Sequence, residues 1–275
     1  MRGLMMSAIA GLAALAAQTG AGLAADMPEP VYKAPEIPVA VGGWYLRGDI
    51  GVSWQDVDNL VSVENQSNDF IWLGKNFDAA AILGVGVGYK FNDWFRADVT
   101  GEYRAKSSFS GVDTYDYWNG DEYIARTNHY TADKQEWVFL ANAYLDLGTW
   151  HSITPFVGAG IGAASVKVSN YSDWDPTPGY ESLAYAGSDT KWNFAWALYA
   201  GLAYQITPTF SVEVAYRYID LGDGRTADVV ASDGTNNYYN PVTFEDITSQ
   251  DVKIGFRWLF GGGSDADDYP PVRKY

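Results

Sequence analysis

The sequence predicts an all-β protein, an eight-stranded antiparallel transmembrane up-and-down β-barrel spanning residues 44–260. Three observations predict it. Apolar and polar residues alternate with period two through eight segments, the connections between those segments alternate short and long, and the apolar faces end in aromatic residues at both rims. Composition agrees: 16% of the 275 residues are aromatic, including 11 Trp and 20 Tyr, and 29 are glycine, a balance typical of barrels rather than of helical domains.

Residues 1–24 stand apart. Arg2 opens a short positive start, Leu4 to Ala17 is an apolar run, and Gly22 and Ala24 occupy small-residue positions before a cut. This reads as a secretory signal peptide with cleavage after Ala24; an amphipathic or buried N-terminal helix is the alternative. Residues 25–43 carry Pro28, Pro30, Pro35 and Pro38 without periodicity and read as a periplasmic linker. Residues 261–275 form a periplasmic C-terminal tail. No other apolar stretch reaches the roughly twenty residues a helical span needs. The net charge of −16 argues against a nucleic-acid partner. With no cysteine in the chain, something other than disulfides must hold the fold.

The first strand sets the pattern. Trp44, Leu46, Gly48, Ile50, Val52 and Trp54 alternate with Tyr45, Arg47, Asp49, Gly51, Ser53 and Gln55, giving one apolar and one polar face. Seven further segments repeat it, around Leu83–Phe91, Phe95–Arg104, Glu136–Leu147, Val157–Ala163, Phe194–Ile206, Phe210–Tyr218 and Asp251–Phe260. Short connections fall at Asn92-Asp93, Gly148 to Ile153 and Thr207 to Thr209. Long ones, read as outer loops, fall near 56–78, 105–134, 167–191 and 220–246.

Alternation alone does not say which face is outside, and a soluble eight-stranded barrel around a ligand would alternate too. Charge decides. The polar faces carry Arg47, Lys90, Arg96, Arg104, Arg217, Lys253 and Arg257 against Asp49, Asp98, Glu102, Glu136, Asp146, Glu213 and Asp251. Seven cations match seven anions in a strongly acidic chain, as a closed interior demands, because an unpaired buried charge costs several kcal/mol. Trp44, Phe91, Phe95, Tyr204, Phe210, Trp258 and Phe260 gird one rim. Trp54, Tyr103, Trp137, Phe194 and Tyr218 gird the other; such paired girdles mark a bilayer. Faces this aromatic would also overfill an eight-stranded interior.

Gly84 to Arg104, Asn142 to Leu147 and Pro155 to Gly162 together resemble the porin-family outer-membrane proteins of alphaproteobacteria, related to heat-resistant agglutinins and RopB-like proteins, which share the OmpA barrel. The resemblance covers 44–260 and implies residence in the Gram-negative outer membrane, in contact with lipid and lipopolysaccharide. Lys253, Gly255, Trp258 and Phe260 are similar to the C-terminal signal read by the barrel-assembly machinery, although Gly261 to Tyr275 follow it here. In some relatives an Ala-Asp start is linked to peptidoglycan, which implies attachment through Ala25 and Asp26; a plain linker is the alternative.

Enzymatic and cofactor chemistry finds little support. The glycines at 84, 86 and 88 and at 158, 160 and 162 lie inside strands, whereas a phosphate loop needs a following helix N-terminus; they are expected to relieve crowding in a narrow lumen. His129 and His151 fall at opposite ends, and His129 with Asp121, Glu122 or Asp133 is the sole catalytic constellation. Asp98 and Glu102, flanked by Arg96 and Arg104, read as ion-pair partners. Asp173, Asp175, Glu181, Asp228 and Asp233 form acidic outer loops, either a solubilising surface or sites for cations bridging lipopolysaccharide. No cofactor or metal is expected. The expected function is structural: an envelope-stabilising barrel with interacting surface loops. A narrow porin is the alternative.

Overall fold

The computed structural model describes residues 42–62 and 70–260. Among them are β1 (Gly43–Asp56), β2 (Asn59–Val61), β3 (Ile71–Phe77), β4 (Ala80–Lys90), β5 (Phe95–Trp118), β6 (Tyr123–Asp146), β7 (Ile153–Asp175), β8 (Ser182–Ala186), β9 (Asp189–Thr207), β10 (Phe210–Ala231) and β11 (Pro241–Phe260). Eight of these pair antiparallel around a ring, β1–β4–β5–β6–β7–β9–β10–β11, and β11 pairs back to β1 from Trp44↔Phe260 to Asp56↔Thr248. Closure leaves no free edge, which hydrocarbon would not tolerate.

The apolar face points outward. Ile50, Leu83, Val85, Val99, Ile161, Leu202 and Val214 are all exposed, with Val85 at 66% and Val214 at 53%, and Trp44, Trp54, Trp137, Tyr204 and Trp258 are exposed toward the two rims. The polar face points inward: Arg96, Arg104 and Asp251 have no exposure at all.

The connections read as long outer loops are in large part strand. A tilted transmembrane strand needs about 9–11 residues, whereas β5 and β6 have 24 each and β7 has 23. The ring therefore continues beyond the slab as a folded extension, with β2 added to β11, β3 added to β5, and β8 inserted between β7 and β10. Period-two reading misses these segments because the inward parity changes. A bulge between Arg104 and Ser107 moves the inner face of β5 from Glu102 and Arg104 to Ser107 and Phe109. Asn170, at φ 52°, does the same in β7, where Val166 and Val168 face inward before it and Tyr171 after it. One extra residue in a strand swaps its faces.

Above the slab the rule for inside and outside inverts. Lys106, Ser108 and Ser110 face out, while Phe109, Phe244, Leu60, Val166, Leu221 and Ile247 pack inside as an ordinary apolar core. Water rather than lipid meets the outer face there, so burial of apolar surface drives packing inward.

The lipid-facing assignment predicts a depth-dependent penalty. Val214→Arg, at mid-strand, is expected to cost roughly 2–4 kcal/mol, and Tyr218→Arg, nearer the rim, far less. Equal folding free energies for the two variants in lipid vesicles would contradict the orientation.

Candidate functional site: the barrel lumen

The interior is filled by side chains in three connected layers. Nearest the short turns, Arg96 reaches Asp146 (Nε to Oδ1, 3.2 Å) and Glu213 (3.5 Å), and Arg257 lies 3.0 Å from the same Glu213. The Arg96 guanidinium is held between the Tyr144 and Phe156 rings, 4.2 and 4.7 Å from their centroids. In the middle layer, Arg47 donates to both oxygens of Asp49 (3.0 and 2.7 Å), to Asp98 (2.9 Å) and to the Tyr144 hydroxyl (2.9 Å). Asp98 also accepts from Tyr45 (3.0 Å) and Asn142 (2.7 Å), and Asn142 accepts in turn from Tyr199 (2.8 Å).

The outer layer is the densest. Glu102 on β5 accepts from Arg217 (3.1 and 2.5 Å) and Lys253 (2.7 Å), with Arg104 at 3.4 Å. Asp251 accepts from Arg217 (2.8 Å), Arg104 (3.0 and 2.9 Å) and Ser249 (2.6 Å). Glu136 closes the layer, 3.4 Å from Arg104 and paired with Lys134, which also donates to Gln55. Each of the seven cations read from the sequence has a carboxylate partner, although that of Lys90 is Asp93 in the adjacent turn.

Two features make this density feasible. Strands β5 and β10 lie on opposite walls, four places apart in the ring of eight, yet Glu102 and Arg217 touch; the diameter is one pair of side chains wide. Strand glycines supply the room. A β-carbon on Gly88 would collide with the Tyr45 ring, and one on Gly158 with Tyr144, so the aromatic donors lie across bare backbone. Lys134, Tyr45, Asn142 and Tyr199 join the network without having been singled out in the sequence. Lys134 was hidden inside a stretch read as loop, although it shares parity with Glu136.

The comparisons with known proteins agree with this architecture. The model of the outer membrane protein β-barrel domain matches residues 7–260. The chain belongs to that family. An uncharacterized protein of Brucella abortus (strain 2308) is 33% identical over 226 residues, covering 76% of this chain and 79% of that one. A Rickettsia typhi protein named as a candidate adhesin is 28% identical over 222 residues, covering 78% and 87%. Among solved structures, OprG from Pseudomonas aeruginosa is similar, with a TM-score of 0.47, 14% identity and coverage of 82% and 100%. As a member of the outer-membrane β-barrel family, the protein resides in the Gram-negative outer membrane, in contact with its lipid.

Other residues singled out in the sequence are placed as follows. Lys253 pairs with Glu102, and Gly255 lies where a β-carbon would crowd Asp49, so both have a lumen role. Trp258 and Phe260 are exposed at the end of β11. Ala25, Asp26, the signal peptide and the tail 261–275 lie outside the described residues. His129 is in β6, with its ring tilted 36° against that of Trp174 at 5.6 Å between centroids. Asp133 is four residues further along the same strand, about 13 Å away at strand rise, and Asp121 and Glu122 belong to the hairpin tip beyond the other end of β6. The structure does not bring that constellation together. The acidic outer residues are dispersed as well: Asp175 pairs with Arg126 at 2.6 Å, Asp228 accepts from Asn236 and from the Asn240 amide, and Asp233 accepts from the Thr235 amide.

Removing one member of a buried network leaves its partners uncompensated. Glu102→Gln is expected to destabilise the barrel by about 3–5 kcal/mol, read as a lowered urea midpoint for loss of the heat-modifiable gel band in vesicles. Lys253→Gln added to it should recover part of the loss. A midpoint unchanged by Glu102→Gln would show that the network contributes no stability.

Proposed function

We propose that the protein is a non-conducting, envelope-stabilising outer-membrane barrel whose extracellular extension is presented for contact with other surfaces. The observation that carries this reading is the contact of Glu102 and Arg217 across the full lumen. A bore closed by side chains from opposite walls has no continuous water path, and water-filled porins have roughly 16–18 strands rather than eight. The apolar core of the extension, with Phe109, Phe244 and Val166 fully inside, stacks above the ion-pair plug and blocks the outer end a second time.

The contact role draws support from the extension itself, which carries strands far beyond the slab, and from the adhesin name given to the Rickettsia typhi relative. The Lys253, Gly255, Trp258 and Phe260 pattern is the segment we assign to the barrel-assembly machinery. Lipopolysaccharide is the natural neighbour of the outer rim. The N-terminal linker is proposed to tie the barrel to peptidoglycan through Ala25, next to Asp26.

Planar-bilayer recordings of the wild-type monomer should show no large, steady conductance. Neutralising Arg96 and Glu213 together is expected to produce small, flickering events. A stable conductance of general-porin size from the wild type would instead favour the narrow-porin reading. For the tether, muramidase digestion of purified sacculi should release protein bearing peptidoglycan fragments on Ala25; recovery of free amine alone would rule the linkage out.

A further inference from the structure

The extension holds a hollow of about 170 Å³ at its outer end, and strand register explains why it is there. Four neighbouring strands contribute one row: Tyr130 on β6 faces Asp173 on β7, Asp173 faces Ala184 on β8, and Ala184 faces Ala231 on β10. The next row inward runs Tyr171, Ala186, Val229. Two alanines beside Asp173 leave the space that larger side chains would fill. Tyr130 and Tyr171, both buried, form the floor with their rings 6.4 Å apart.

The floor is held firmly. Tyr130 donates to Asp113 (2.8 Å) and accepts from Asn128 (3.0 Å), and burial raises the Asp113 carboxyl above the ordinary aspartate range. The opposite wall comes from the β10–β11 connection, where Asn236, Asn237 and Tyr238 stand exposed and Asn240 is buried. The hollow is therefore reached from the extracellular side and lies well away from the lumen plug.

Its lining defines a ligand class. Tyrosine rings offer apolar faces with polar edges, asparagine amides both donate and accept, and a carboxylate accepts from hydroxyls. Among the described residues no Lys or Arg lines it, which disfavours phosphate, sulfate and carboxylate ligands, since anions are bound through such cations. The volume is below the range of sites for drug-sized ligands and suits one ring rather than a chain.

We propose that this hollow binds a single neutral pyranose, free or as the terminal sugar of a glycan. The proposal deepens the contact reading above and rests on it for its biological use, although not for binding itself. The sugar ring lies against the tyrosine floor while its hydroxyls donate to Asp173 and exchange hydrogen bonds with the asparagine wall.

The test is saturation-transfer NMR and calorimetry on the refolded full-length barrel, with methyl glycosides of glucose, galactose, mannose and N-acetylglucosamine as probes. At least one should bind with a dissociation constant on the order of 1 mM, as expected for so few ligand atoms. Ala231→Leu fills the hollow and should abolish that binding, and Asp173→Ala should weaken it about tenfold, both in protein that keeps its heat-modifiable gel shift. Binding of none of the four probes, or binding unchanged by Ala231→Leu, overturns the proposal. So does preferential binding of tetramethylammonium or of a heparin fragment at the same site. An immobilised neoglycoprotein carrying the preferred sugar separates a terminal glycan residue from the free sugar. Adherence of expressing cells to an epithelial layer is scored separately. Adherence that persists in Ala231→Leu with no sugar binding in the wild type sinks the pocket and spares the contact reading; sugar binding without adherence does the reverse.

Discussion

The pairing of Glu102 with Arg217 across the lumen is the constraint on which the rest of the structure depends. In an eight-stranded barrel side chains just fill the interior, so inward polar groups are matched by other inward side chains, some on the same strand, as Arg47 with Asp49, and some across the lumen, as Arg217 with Glu102. At an effective dielectric near 20, two charges about 4 Å apart attract by roughly 4 kcal/mol, enough to matter only if geometry and additional hydrogen bonds offset desolvation. Those bonds come from Tyr45, Asn142, Tyr144, Tyr199 and Ser249. The network also explains the strand glycines, because aromatic donors such as Tyr45 fit only where the adjacent strand carries no side chain.

A second consequence appears where the slab ends. Inside the membrane the chain is polar within and apolar without; past the bulge at Arg104/Ser107 it is apolar within and polar without. The same ring of strands serves both solvents because single-residue irregularities exchange the two faces. The extension thereby gains an apolar core, anchored by Phe77, Phe109 and Phe244 with ring centroids 5.1–6.2 Å apart and continuous with the lumen through Leu140, Tyr144 and Phe156. That core gives the extracellular end enough order to hold side chains such as Tyr130 and Asp173 in place.

The architecture also bears on function. On the proposed reading, a plug made of ion pairs and capped by apolar side chains stabilises without conducting, which leaves the outward end as the part of the molecule that meets a partner. The membrane-embedded surface is generic, built of aliphatic and aromatic residues that any barrel of this height would present.

The sequence by itself determined the barrel, its lipid-facing side and the composition of its lumen. Leu46, Ile50 and Val52 alternate strictly with Arg47 and Asp49, and crossing a bilayer forces that period on each strand alike. The balance of seven cations and seven anions followed from the same parity, because a closed interior penalises unpaired charge. Tertiary structure decided who pairs with whom: Arg217 takes Glu102, 115 residues away, and no spacing in the chain encodes contacts between opposite walls. It also decided the fate of the long connections. Phe109 lies beyond the point where one inserted residue shifts the register of β5, so its inward position depends on pairing with neighbouring strands rather than on any local pattern, whereas Lys134 keeps the parity of Glu136 and lay only outside the stretch read as strand. The hollow beside Asp173 likewise exists only because four strands, distant in sequence, bring a tyrosine, an aspartate and two alanines into a single row.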